Sequence, residues 1–137
     1  MKKLNFTCSI LAFFSVVLFS EAEAKPLMKE IPAGIISAFK SGNAKELAVY
    51  FNSNIEMSVL DDENIYSRAH AEQLIKEFFA KYPPRNFIIL HEGGKEGSKY
   101  AIGNLITTNG IFRVYFLLKE REGNPLIHQL RIEPEEK

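Results

Sequence analysis

The dipeptide Asn109-Gly110 constrains this chain more than any other feature. It lies between two segments that alternate apolar and polar residues, Ser98 to Thr108 and Ile111 to Glu120. Asn-Gly is the preferred centre of a type I′ turn, whose two central residues both need positive φ, so a β-hairpin is expected. A two-residue turn at that point sets Thr107 opposite Phe112, Leu105 opposite Val114, Gly103 opposite Phe116 and Ala101 opposite Leu118. That face is apolar, with small residues against large ones. The other face pairs Ile106 with Arg113, Asn104 with Tyr115, Ile102 with Leu117 and Tyr100 with Lys119. A slip of one residue would exchange the faces, so the pattern itself specifies which side is core.

A third strand follows. Glu122-Gly123-Asn124 reads as a three-residue loop, which sets Leu118 opposite His128, Phe116 opposite Leu130 and Val114 opposite Ile132. The expected inner face is therefore Ala101, Gly103, Leu105, Phe112, Val114, Phe116, Leu118, Leu130 and Ile132, with His128 towards one end. Ile127 falls on the outer face, in step with Gln129 and Arg131.

The upstream chain supplies helices to cover that inner face. Leu27, Ile31, Ile35, Ala38 and Phe39 make a helical stripe up to Lys40, with Pro32 near its start, where a missing N–H costs little. Ser41-Gly42-Asn43 stops it and starts a second helix, Ala44 to Phe51. Asn54 to Leu60 alternates as a strand, Asp61-Asp62-Glu63-Asn64 reads as a turn, and Ile65-Tyr66 as a short strand. Ser67 caps a third helix whose apolar positions, Ala71, Leu74, Ile75, Phe78 and Phe79, recur at core-facing spacing. Pro83-Pro84 ends it. Arg85 to Glu92 is a further strand, turned into the meander by Gly93 to Gly97.

Residues 1–24 read as a signal peptide. Lys2 and Lys3 precede a largely apolar run, and Ala22-Glu23-Ala24 forms a small-x-small cleavage site before Lys25. The single cysteine, Cys8, lies inside that leader, so the expected mature domain, residues 25–137, has neither a disulfide nor a thiol nucleophile. The full chain has 17 basic and 17 acidic residues, and the leader carries Lys2, Lys3, Glu21 and Glu23, so its removal takes two of each and leaves the charges in balance. A nucleic-acid binder shows a basic excess, and none is present. The expected location is periplasmic or secreted, with no stable membrane insertion after cleavage.

The order helix, helix, strand, short strand, helix and four hairpin-linked strands resembles the NTF2-like fold, an α+β cystatin-type cone with a curved, mainly antiparallel sheet around three helices. More closely, the chain resembles the exported Bacteroidales family called domain of unknown function 4783. Phe39-Lys40-Ser41-Gly42-Asn43-Ala44 with Leu47, Tyr66-Ser67 leading to Phe78-Phe79, Tyr100-Ala101-Ile102-Gly103, Thr107-Thr108-Asn109-Gly110 and Gln129-Leu130-Arg131-Ile132-Glu133 carry the resemblance. These are turn, cap and core residues, and no catalytic residue is carried over. The resemblance implies a cone that often holds a pocket, and a homodimer formed through the sheet.

Chemistry-bearing motifs are few. Gly93-Gly94-Lys95-Glu96-Gly97-Ser98-Lys99 lacks the order and the following helix of a phosphate loop. Counting from Asp61, the sixth and twelfth positions of a calcium loop hold Tyr66 and Glu72, so the required glycine is missing. No metal or cofactor is expected. An isomerase- or hydrolase-like NTF2 enzyme needs a base inside the cone. The candidates are His128, and His91 on the preceding strand, with His70 read as a surface residue. Tyr50, Phe51, Phe78, Phe116 and His128 are pocket candidates for a small apolar or amphipathic ligand, although aromatic residues at this spacing serve equally as core. Ile102, Ile106, Tyr115, Leu117 and Ile127 form an apolar outer strip, the mark of an interface. The sequence thus favours non-enzymatic binding of a small ligand or a protein partner. The alternatives are a His-based enzyme and an envelope-complex subunit acting through its outer sheet face. N-terminal sequencing of the protein exported by its host should begin at Lys25; a chain still starting at Met1 would contradict the leader.

Overall fold

A computed structural model describes residues 30–136. The expected leader and the start of the first helical stripe at Leu27 lie outside these residues. Three helices, α1 (Ala33–Ser41), α2 (Ala44–Ala48) and α3 (Arg68–Lys81), accompany six strands. The strands are β1 (Phe51–Val59), β2 (Asp62–Ser67), β3 (Pro84–Lys95), β4 (Ser98–Thr107), β5 (Gly110–Arg121) and β6 (Asn124–Pro134). They form one sheet in the order β2-β1-β6-β5-β4-β3. Every neighbouring pair is antiparallel except β1 with β6, which is parallel.

The helix ends follow local chemistry. Pro32 occupies the N-cap of α1, and Gly42 closes it at φ +67, donating its N–H to the carbonyls of Ala38 and Phe39. Asn43 then caps α2, its Oδ1 accepting from the Glu46 N–H at 3.1 Å. The Ser67 hydroxyl caps α3 by accepting from the His70 N–H at 3.3 Å. The second helix is shorter than its apolar pattern suggests. Phe51 leaves it for β1, where the Tyr50 carbonyl accepts from the Ile127 N–H, so strand pairing overrides the helical period. The first β-turn is also displaced. It is centred on Leu60-Asp61, leaving Asp62 to Asn64 within β2 and Leu60 at φ +56.

Both meander turns differ from expectation, and both differences are instructive. The first turn is Thr108-Asn109, not Asn109-Gly110, and Gly110 pairs with Thr107 at φ +128. The Thr107 hydroxyl accepts from the Asn109 N–H at 3.1 Å and donates to the Gly110 carbonyl at 2.8 Å. The turn is also tied to the end of α3: Thr108 N–H donates to the Pro83 carbonyl and Asn109 Nδ2 to the Lys81 carbonyl. These bonds move the register by two residues, so Leu105 faces Phe112, Gly103 faces Val114 and Ala101 faces Phe116. An even shift leaves every residue on its expected face.

The second turn is Glu122-Gly123, both at positive φ, and a bulge between Leu117 and Leu118 absorbs the odd residue. Below the bulge Phe116 faces Leu130 and Val114 faces Ile132, as expected. Above it Leu118 pairs with Ile127, not His128. Ile127 is therefore fully buried in the core and cannot be part of an outer strip.

The core lies between the helices and the inner sheet face. Phe39 of α1 is its hub, with ring centroids 4.7 Å from Phe87, 6.0 Å from Phe116 and 6.2 Å from Phe79. Phe87 reaches Phe39 because it lies across Gly103: a Cβ there would sit 2.8 Å from the Phe87 ring and 2.8 Å from the Ile88 carbonyl oxygen. Gly103→Val should therefore cost about 1–3 kcal/mol by overpacking, read as a lowered midpoint of urea unfolding. An unchanged midpoint would show that the Phe87 contact is slack.

Candidate functional site

The pocket candidates do not converge on a cavity. Phe51 and Phe116 are fully buried and Phe78 nearly so, all within the single hydrophobic cluster. Tyr50 packs partly buried against the same cluster, its ring lying on Gly34. Phe78 is held by Phe112 and Tyr82, each at a ring distance of 5.1 Å. These aromatic side chains fill the space between helices and sheet, which a small domain needs for its core.

The two candidate bases are separated as well. His91 is exposed on the outer sheet face, where β3 pairs it with Ile102. Its Nε2 lies 3.2 Å from the Tyr100 hydroxyl. The pairing of imidazole with phenol that acid–base chemistry would use is present, but in water and outside the cone. His128 is the extra residue of the β6 bulge and is half-buried. Among the described residues its buried Nε2 has no hydrogen-bond partner. Burial, then the positive charges of Lys119 and Arg121, push its pKa below the ordinary 6.5. None of these neighbours is the carboxylate that would orient a catalytic histidine.

The outer face is where the remaining candidates gather. Along β4 and β5, Tyr100 pairs with Leu117, Ile102 with Tyr115 and Ile106 with Ile111. The Tyr100 and Tyr115 rings stack at 6.2 Å. Ile102, Ile106, Tyr115 and Leu117 are each partly exposed; Ile88 on β3 and Ile111 beside them remain 44% and 42% exposed. Sequence reasoning missed Ile88, Tyr100 and Ile111 as members of this band, although their alternation with core residues marks them. The face changes character at β6. There Gln129 donates to Glu56 at 2.9 Å and Arg131 lies 3.7 Å from Glu133, while Arg113 of β5 lies 3.4 Å from Glu135 and donates to Asn104 of β4 at 3.1 Å. The outer face is thus largely apolar over β3 to β5, crossed by the polar Asn104–Arg113 pair between Ile102–Tyr115 and Ile106–Ile111, beside a polar half over β6 and β1.

Comparison with known proteins agrees with this architecture. The sequence matches the family described as domain of unknown function DUF4783 over residues 32–133. The chain belongs to this family. A solved DUF4783 protein from Bacteroides ovatus is 37% identical, with a TM-score of 0.75 over 79% of this chain and 98% of that one. An NTF2-like design with a long sheet is 20% identical, with a TM-score of 0.58 over 72% of this chain and 93% of that one. A protein named as a putative ketosteroid isomerase from Kribbella flavida is 14% identical, with a TM-score of 0.54 over 76% of this chain and 74% of that one. Likeness at that identity shows the fold alone: DUF4783 here is an NTF2-like α+β fold. None of the curated proteins matches the sequence.

The unpartnered His128 leads to a pH prediction. Its folded pKa is depressed, so above about pH 6.5 both folded and unfolded states hold it neutral and it costs nothing. As pH falls below that value the unfolded chain takes up the proton first, and stability falls. Melting curves for the protein and His128→Gln should diverge between about pH 6.5 and 5, the variant losing less. Parallel curves would contradict the shift.

Proposed function

We propose that this chain is a non-catalytic interaction domain that works outside the cytoplasm and pairs with a second copy through the outer face of its sheet. The observation that carries this reading is the band of partly exposed Tyr100, Ile102, Ile106, Tyr115 and Leu117 on adjacent strands. Isolated surface apolar residues need no explanation, whereas a cluster of them on adjacent strands, here crossed by the Asn104–Arg113 hydrogen bond at 3.1 Å, marks an interaction site. The cone interior supports the alternative ligand-binding reading less well, because its aromatic residues are spent on the core. The proposed place of action, the periplasm or beyond, rests on the leader expected from residues 1–24.

Magnitude decides how the copies meet. Three strands of roughly ten residues, about 4.8 Å apart, present about 480 Å² of flat face. A stable interface needs about 800 Å² from each partner. The apolar band therefore has to be extended by the polar half, with Gln129, Arg131 and Arg113 forming a rim around Tyr115 and Leu117. Isologous pairing suits such a surface, since the same patch serves both copies. Light scattering of the exported chain over a range of concentrations should give a dimer mass. The double variant Tyr115→Lys and Leu117→Lys should give a monomer with unchanged circular dichroism. A monomeric parent protein, or a dimeric variant, would overturn the reading.

A further inference from the structure

A cavity of about 360 Å³ lies where α2 ends, α3 begins and β5 turns into β6. Two guanidinium groups from separate elements line it. Arg68, the first residue of α3, donates its Nε–H to the Phe51 carbonyl at 2.9 Å. Arg121, the last residue of β5, donates from Nη1 to Asn52 Oδ1 at 3.3 Å. Each is thereby tied by one N–H to one of two consecutive β1 residues, out of the five that a guanidinium carries. Among the described residues neither has a carboxylate at ion-pair distance, whereas Arg113 and Arg131 both do. Holding one N–H restricts each group and leaves its other N–H donors for a two-pronged contact with an oxyanion.

The remaining walls set the size and charge of what fits. Val49, 69% exposed, lines the cavity with Tyr50, Pro125 and Leu126. The Tyr50 ring lies against Gly34, where the lack of a Cβ leaves room for it: an added Cβ would sit 2.9 Å from the Tyr50 Cζ. Glu122 is the one acid of the lining, held at φ +54 in the β5–β6 turn. Two arginines against one glutamate leave a single net positive charge, which suits a monoanion better than a phosphate dianion. The volume lies near the lower end of small-molecule sites, roughly 300–1,000 Å³. The positive potential also reaches His128, whose proton affinity Arg121 helps to depress.

We propose that this cavity binds the carboxylate of a small monoanionic amphiphile, gripped by Arg68 and Arg121, with its apolar part on Val49, Tyr50 and Leu126. The site stands apart from the outer-face band, so occupancy and pairing are measured independently. Octanoate, titrated into the exported chain and followed by amide NMR, should bind saturably and shift Tyr50, Arg121 and Leu126. Octanol, which keeps the chain and lacks the charge, should bind about tenfold more weakly, as should Arg121→Gln, because a charged hydrogen bond is lost. Arg121 is exposed at the end of a strand, so its variant should keep the spectrum of the folded protein; Arg68→Lys, which keeps the charge and loses the fork, gives a second test and should also weaken octanoate. Absence of saturable octanoate binding, equal binding of octanol, or an undiminished affinity in both variants would overturn the proposal.

Discussion

The contact of Phe39 with Phe87 and Phe116 holds the two layers of this domain together. Phe39 comes from the helical layer, and its two partners come from β3 and β5, on either side of Gly103 in β4. Each buried ring contributes about 1.5–3 kcal/mol through area alone, and each aromatic pair about 0.5–1.5 kcal/mol more. The arrangement works only because β4 carries glycine at the crossing point: any side chain there would lift Phe87 off the sheet.

Filling the cone with aromatic side chains has a consequence for function. A space packed by Phe39, Phe51, Phe87 and Phe116 leaves the interior to stability. The proposed recognition therefore uses surfaces that the core does not consume. Two surfaces outside the core carry the proposed roles: the apolar face outside β3 to β5, and the cleft beside Arg68 and Arg121. They differ in chemistry as well as position. The first has side chains suited to another apolar face, and the second combines fixed cations with a small apolar wall.

Much of the fold was legible in the sequence because period-two alternation assigns faces whatever the register. Leu105, Phe112, Val114 and Phe116 are core in the expected pairing and in the observed one, which differ by two residues. The turn itself was misplaced because Asn-Gly chemistry is local, whereas the bonds from Thr108 and Asn109 to Pro83 and Lys81 are tertiary. Ile127 and His128 were exchanged for a related reason. A bulge shifts parity by one, and nothing in Pro125-Leu126-Ile127-His128 announces it. The aromatic residues at Phe51, Phe78 and Phe116 show the same periodicity in a core as in a pocket, so only packing distinguishes the two. The arginine cleft was not visible at all, since Arg68 and Arg121 are far apart in the chain and are brought to one cleft by bonds to consecutive β1 residues.

The most direct measurement is an isotope-filtered NOE experiment on a mixture of labelled and unlabelled protein, which reports only contacts between copies. The account predicts such contacts from the Tyr100 and Tyr115 rings to the methyl groups of Ile102, Ile106 and Leu117, with none from the core ring of Phe39. Intermolecular contacts confined to the helical layer, or no contacts at concentrations where light scattering gives a dimer mass, would contradict it.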